Sequence, residues 1–225
     1  MRSIRHPGAL SANICVLCGA FLLLGATALI TARGALAQPA GQITVPPVPD
    51  PVAVTVDPAT TALLVADVNA AACPDTPPCA VTQPVATLLA KARAAGATVV
   101  FSTYASNVLP PPENAPLPSE IVLVRPSSGP AWEGMAGVLQ GRNIQNIVFV
   151  GNALHRVILF GSYELVTRYG FTVVVPEDGT VGADAYRTAA TRFQLLNLGG
   201  ADNPTNTPLQ PVAVTLSRSD LVTFQ

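Results

Sequence analysis

The residues that could do chemistry in this sequence are few. Asp67 closes Thr61–Asp67 (TALLVAD), an apolar run that reads as a buried strand ending in a carboxylate. Such a group can act as an acid or base, pair with a cation or cap a turn. Arg125 closes a second run, Ile121–Arg125. Its planar fork suits a bidentate hold on a carboxylate, but it stays charged and cannot pass on a proton as a lysine can. His155 has the ordinary pKa of a general base at neutral pH, and a structural histidine with its own partners is the alternative. Ser102 and Thr103 could be nucleophiles only if His155 reaches them, and no G-x-S-x-G elbow is present. Cys73 and Cys79, in CPDTPPC, read as a local disulfide if the chain is exported. A metal site would want further ligands nearby and none is visible, so neither a metal nor a cofactor is expected.

To act together these groups must be carried to one end of a sheet. Asn146 to Thr180 reads as strand, tight turn, helix and strand: Ile147–Val150 is an apolar run, Gly151 breaks it, Leu154, Ile158, Leu165 and Tyr169 recur at helical spacing, and Phe171–Val175 is apolar again after Gly170. A parallel pair joined through a helix is a right-handed βαβ unit, and ligands in open α/β sheets sit where the strands end and the helices begin. The chemistry is therefore expected near Gly151–Val157. Around this unit, Val85, Leu88, Leu89 and Ala92 predict a helix over 84–95, Ala97–Thr103 a strand, and Met135, Val138 and Leu139 a short helix ending at Gly141. A helix near 183–198 carries Tyr186, Ala189, Ala190 and Phe193, and Pro211–Leu216 is the last strand, after which Ser217 or Ser219 could cap a final turn. Residues 104–119 hold five prolines and form a long surface loop of the kind often used as a lid or binding loop. Asp178 is expected to order the turn after the fifth strand. Continuous apolar strands alternating with helices indicate a parallel sheet covered on both faces.

The chain has 225 residues and begins with Arg2 and Arg5, an apolar run over 14–32 and Ala35-Leu36-Ala37. That is the pattern of a secretory signal peptide cleaved after Ala37, with an uncleaved membrane anchor as the alternative. The expected division is a signal over 1–37, a Pro-rich lead-in over 38–56 and one domain over 57–225, in an exported, periplasmic or secreted protein. Loss of the first 37 residues removes three arginines and leaves nine cations against 13 acidic residues, a net charge of −4. No basic patch is present, so nucleic acid is a poor partner and a small-molecule ligand or substrate a better one. A second copy of the chain is the other partner the sequence allows.

The order of these pieces resembles the isochorismatase-like family, the cysteine hydrolases. The resemblance covers Asp57 to Phe224 and rests on TALLVADVN, IVLVRPSSGPAWEG, VFVGNALHRV, RYGFTVVVPEDGT and the closing PVAVTLSRSDL, which is similar to the family's final strand and helix. It implies a Rossmann-like α/β/α domain of three layers with a six-stranded parallel sheet. It also implies a cysteine nucleophile at a helix start, a lysine that activates it and an aspartate base, the logic of an activated thiolate. Asp67 matches the aspartate. Arg125 stands at the lysine position, and the sole lysine, Lys91, lies on another helix. The cysteine position falls at or beside Val157. The helix is one residue longer than the family pattern, so Arg156 or Ile158 is the alternative occupant, and none of the three can attack a carbonyl.

Trp132 matches the aromatic of the family's Ser-Ala-Phe motif and would line a pocket or pack beneath the loop. Gly151-Asn152-Ala153 matches a turn where members hold a cis peptide between non-proline residues. The metal-binding members carry Asp and His after the second strand, where this chain has TYASN. The resemblance thus implies a divergent hydrolase relative with a vestigial or altered site. One branch of the family, with a small residue at the nucleophile position, protonates a vinyl ether from the aspartate, which leaves Asp67 as an acid. The rivals are a non-catalytic module that holds a small carboxylate or amide through Arg125, and a protein-interaction domain using the Pro-rich loop.

Overall fold

The computed structural model describes residues 47–68, 81–104, 112–125 and 132–225. The proposed signal segment, Cys73, Cys79 and part of the Pro-rich loop lie outside them.

The chain enters through β1 (Val54–Val56) and β2 (Thr61–Ala66), then α1 (Thr82–Ala94), β3 (Thr98–Tyr104), β4 (Ile121–Arg125) and α2 (Trp132–Gln140). It continues through β5 (Asn146–Asn152), a π-helical turn (Leu154–Ile158), α3 (Leu159–Thr167), β6 (Thr172–Pro176) and β7 (Thr180–Val181). It closes with α4 (Ala185–Leu195), β8 (Val214–Ser217) and β9 (Val222–Phe224). The main sheet runs in the order β4-β3-β2-β5-β6-β8, with the short β7 beside β5, and every pairing is parallel. The six strands expected from apolar runs are the six of this path. Their inner members are buried on both faces, as the unbroken apolar runs require. One face packs under α2, α3 and α4 through Met135, Leu139, Ile158, Leu165 and Leu195. The other packs under α1 and the β1–β9 pair through Val85, Leu88, Leu89, Val54 and Val222.

Several expectations need correction. No helix follows β8. The closing segment alternates buried Val222, exposed Thr223 and buried Phe224, a period of two, and pairs with β1. Hence Val54 and Val56, inside the stretch assigned to a lead-in, belong to the core. Neither Ser217 nor Ser219 caps a helix: Ser217 Oγ donates to Val52 O at 2.7 Å, and Ser219 donates to Asp178 through both its amide (2.8 Å) and its hydroxyl (2.6 Å). Asp178 therefore ties down a turn 41 residues further along rather than its own. The helix near 183–198 is present as α4, with Asp184 as its N-cap, but it turns Thr191 and Leu195 inward and leaves Tyr186 and Phe193 in solvent.

Both ends of the described domain are fastened. Lys91 Nζ donates to Ser219 O (2.7 Å) and Val222 O (2.8 Å), holding the C-terminal turn on α1. The segment before β1 lies along β8, with the Val52 amide donating to Leu216 O at 3.0 Å, Asn206 Nδ2 to Asp50 O at 2.9 Å and Arg192 Nη2 to Pro49 O at 3.3 Å. Two buried side chains complete that edge. Asn206 exchanges hydrogen bonds with Leu216 as a neighbouring strand would, at 2.8 and 3.0 Å, and Asn203 Nδ2 donates to Val214 O at 2.8 Å.

Candidate functional site

β2 ends at Ala66, and Asp67 turns the chain with a left-handed backbone (φ 53°), a conformation that Asp tolerates better than most residues. Its amide donates to Ser102 O at 2.9 Å, so β3 fixes where the carboxylate stands. Arg125 is the last residue of β4, opposite Tyr104 of β3. From there Arg125 Nη2 donates to Asp67 Oδ2 in a buried ion pair, with only 2% of the arginine and 6% of the aspartate exposed. The guanidinium carbon lies 5.5 Å from the centroid of the Trp132 ring, which supports it by a cation–π contact. Trp132 in turn meets Phe149 edge-on, with centroids 5.6 Å apart at 75°. That stack requires Gly161 of α3: a Cβ there would stand 2.7 Å from both rings.

On the other side of β2, Gly151 approaches Ala66 so closely that a Cβ would stand 1.9 Å from its carbonyl oxygen, and the glycine adopts φ 131°. β7 braces the far side of this turn, pairing Gly151 with Thr180 and Asn152 with Val181. The Asn152–Ala153 peptide is cis. The helix then opens with the π-helical turn, in which the amides of Arg156 and Ile158 both donate to Ala153 O, at 3.1 and 3.2 Å. A π turn accommodates one extra residue in a helix, and it widens the helix start that carries Arg156 and Val157. Arg156 is exposed, Val157 is half-buried against the core and Ile158 is fully buried. Residues 151–159 include no cysteine, serine or threonine.

Asp67, Arg125, Trp132 and the Gly151–Val157 turn thus lie together at the C-terminal ends of the strands. His155 does not join Ser102 or Thr103. Ser102 and Gly151 pair with Ala66 from opposite sides, which sets their Cα atoms about 10 Å apart at the usual strand spacing. Ser102 Oγ and His155 Nδ1 are each buried without a hydrogen-bond partner among the described residues. Lys91, held by the C-terminal carbonyls, does not replace the family lysine. No group of three metal-ligating side chains occurs among the described residues. Nor is any described helix long and apolar enough to cross a membrane.

Two other charged clusters flank the sheet. Glu177 follows β6 and pairs with Arg192. Burial raises its carboxyl above the ordinary value, outweighing the attraction of Arg192. At the N-terminal ends of β3 and β4, a cleft of about 260 Å³ is lined by Arg93, Thr98, Leu117, Glu120 and Arg142, far from the Asp67–Arg125 pair. There burial works to raise Glu120, but its hydrogen bonds from Arg93 and the Leu117 amide, with the Arg93 charge, hold it below the ordinary value.

Phe149, Gly161 and β7 escape a reading of the sequence for site residues. Gly161 had one signal, a glycine at a core-facing position of a helix, and the two-residue β7 had none.

No protein-family model matches the chain, and no curated protein matches it in sequence. Solved structures do. A cysteine hydrolase from Pseudomonas syringae superposes with a TM-score of 0.59 at 16% identity, over 79% of this chain and 95% of that one. An isochorismatase family protein from Burkholderia thailandensis gives 0.55 at 21%, over 76% and 96%. N-carbamoylsarcosine amidase from Thermoplasma acidophilum gives 0.56 at 16%, over 72% and 97%. The fold is isochorismatase-like.

Proposed function

We propose that this chain uses an isochorismatase-like hydrolase fold to hold a small carboxylate- or amide-bearing molecule, without the covalent chemistry of the cysteine hydrolases. The observation that carries this reading is the buried pair between Asp67 and Arg125. These positions match the acid/base and the cation of the resemblance, and here they are closed on each other. A guanidinium partner favours the charged carboxylate, which opposes use of Asp67 as a proton donor to a vinyl ether. Arg125 cannot shuttle a proton, and the turn that would present a thiol offers Arg156, Val157 and Ile158 instead. What remains is a strand-end site where a planar cation lies against Trp132, and a ligand would reach it by parting the Asp67–Arg125 pair. The rival reading, a non-cysteine hydrolase using Asp67, draws on the unpartnered Nδ1 of His155 at the helix start.

The test is a panel of amide, nicotinamide and isochorismate substrates, run beside calorimetric binding of the same compounds. Binding without turnover is expected. Turnover that disappears in Asp67→Asn overturns the reading in favour of the hydrolase. Export with cleavage after Ala37, and a Cys73–Cys79 bridge, belong to the same proposal. Mass spectrometry of the expressed protein before and after reduction is expected to give the mass of residues 38–225 and a gain of two hydrogens.

A further inference from the structure

We propose that the cleft at the N-terminal ends of β3 and β4 is a second binding site, for a small monocarboxylate with a short hydrocarbon body. β3 starts at Thr98, but its pairing with β4 begins only where Val100 stands opposite Ile121. Thr98 and Val99 therefore have no β4 neighbour, and this notch in the sheet is the floor of the cleft. α1 supplies one wall with Arg93, the turn after α2 a second with Arg142, and the segment leading into β4 a third with Leu117 and Glu120. β3 is seven residues long. At the usual rise of a strand, about 20 Å separate this floor from the end of β3 where Arg125 stands. The cleft is thus distinct from the site assigned above.

The charges lining the cleft select the ligand. Glu120 is already engaged: it accepts from Arg93 Nε at 2.8 Å, from Arg93 Nη2 at 2.9 Å and from the Leu117 amide at 2.7 Å. Arg93 is engaged in turn, because its Nη2 also donates to Ala115 O at 2.8 Å. Together they make a cross-linked wall with no net charge. Arg142 is the cation left over. Its guanidinium has no hydrogen bond or ion pair among the described residues, and the residue is exposed. Its backbone is nevertheless fixed, with the amide donating to Leu139 O at 3.1 Å and Ile144 buried just beyond. An arginine fork takes a carboxylate through two parallel hydrogen bonds, and a cleft with an excess of one sign of charge concentrates the opposite ion. One unpaired cation balances a monoanion, whereas a phosphate dianion would be left half-compensated beside Glu120. Leu117, 48% exposed, and half-buried Ile121 offer contact to a hydrocarbon body. The volume of about 260 Å³ falls below the roughly 300–1,000 Å³ of pockets for drug-sized ligands, which limits the body to a few carbons. The competing role for Arg142 is to neutralise the carbonyl end of α2.

The experiment titrates butyrate into the nitrogen-labelled full chain and follows the backbone amides by NMR, with sodium chloride at matched ionic strength as the baseline. Saturable shifts are expected at Gly96, Ala97, Thr98, Ser119 and Glu120. The affinity should fall roughly tenfold or more in Arg142→Gln, the loss expected for a charged hydrogen-bonding partner. Arg142→Glu should abolish the shifts, and inorganic phosphate should bind more weakly than butyrate. The exposure of Arg142 makes both variants compatible with folding, which amides distant from the cleft report in the same spectra. A cleft that stays silent overturns the inference, whatever the amides of the Gly151–Val157 turn do, so the two sites fail separately. Shifts no larger than those from chloride, or tighter binding of phosphate, overturn it as well. So does butyrate binding that is unchanged in Arg142→Gln, and a lowered melting temperature in that variant then assigns Arg142 to the end of α2.

Discussion

The Asp67–Arg125 pair is a test of how a buried charge is tolerated. Removing one member of such a pair leaves the other uncompensated and costs about 3–5 kcal/mol, whereas replacing both with apolar groups of similar size is often neutral. Asp67→Leu and Arg125→Met alone are therefore expected to lower the unfolding free energy by about that much, and the double substitution to recover most of it. A urea-denaturation cycle over the four proteins measures this, and additive losses would show that the pair is not a coupled unit. Glycines give a second contrast. Alanine at Gly134, exposed on α2 with nothing within 4 Å of the added carbon, should stabilise by about 0.5–1 kcal/mol through helix propensity. Alanine at Gly161 gains the same propensity, but must displace Trp132 and Phe149, at a cost of about 1–3 kcal/mol. Thermal melts should move in opposite directions. The residue types of the pair were legible in the sequence, because each closes an apolar run. Their contact was not, since 58 positions separate them and only the register of β2, β3 and β4 brings them together.

At the scale of elements, the sequence revealed what repeats and hid what depends on distant partners. The six strands and α1 to α4 follow from apolar runs and helical spacing, signals carried by each segment alone. β1 and β9 are three residues each and exist only because they pair across nearly the whole chain. The closing segment reads as a helix only through its resemblance to a family pattern, while the alternation that decides it spans too few residues to stand out. In α4 the aromatic residues do not mark the core side, because two neighbouring turns bury Thr191 and Leu195 instead. The elements also carry two carboxylates with opposite pH behaviour. Glu120, held below the ordinary 4.5, contributes stability that is present above the unfolded value and lost as pH falls through the folded one. Glu177, raised above 4.5, contributes stability present below the unfolded value and lost as pH rises through its folded value. Denaturation between acid and neutral pH should therefore show a deficit in Glu120→Gln that closes on acidification. For Glu177→Gln, the balance should shift towards the variant as the pH rises from about the ordinary glutamate value towards neutrality.

For the whole molecule, the fold is isochorismatase-like and the proposed function calls on no thiol. If no thiol serves the site, iodoacetamide applied without reduction should leave ligand binding unchanged, and a loss of binding on alkylation would show that a cysteine does take part. The finished edge at β8 has a consequence for how the protein can be handled. Residues 49–52, with the side chains of Asn203 and Asn206, occupy hydrogen-bonding groups that a sheet margin otherwise offers to any extended chain. A tag placed ahead of this strap leaves the seal intact. Trimming the chain back to Val54 in pursuit of a tidier domain would instead leave only the two asparagine side chains on that margin, and the shortened protein is expected to associate strand to strand into insoluble material, even with every residue of the candidate site still in place.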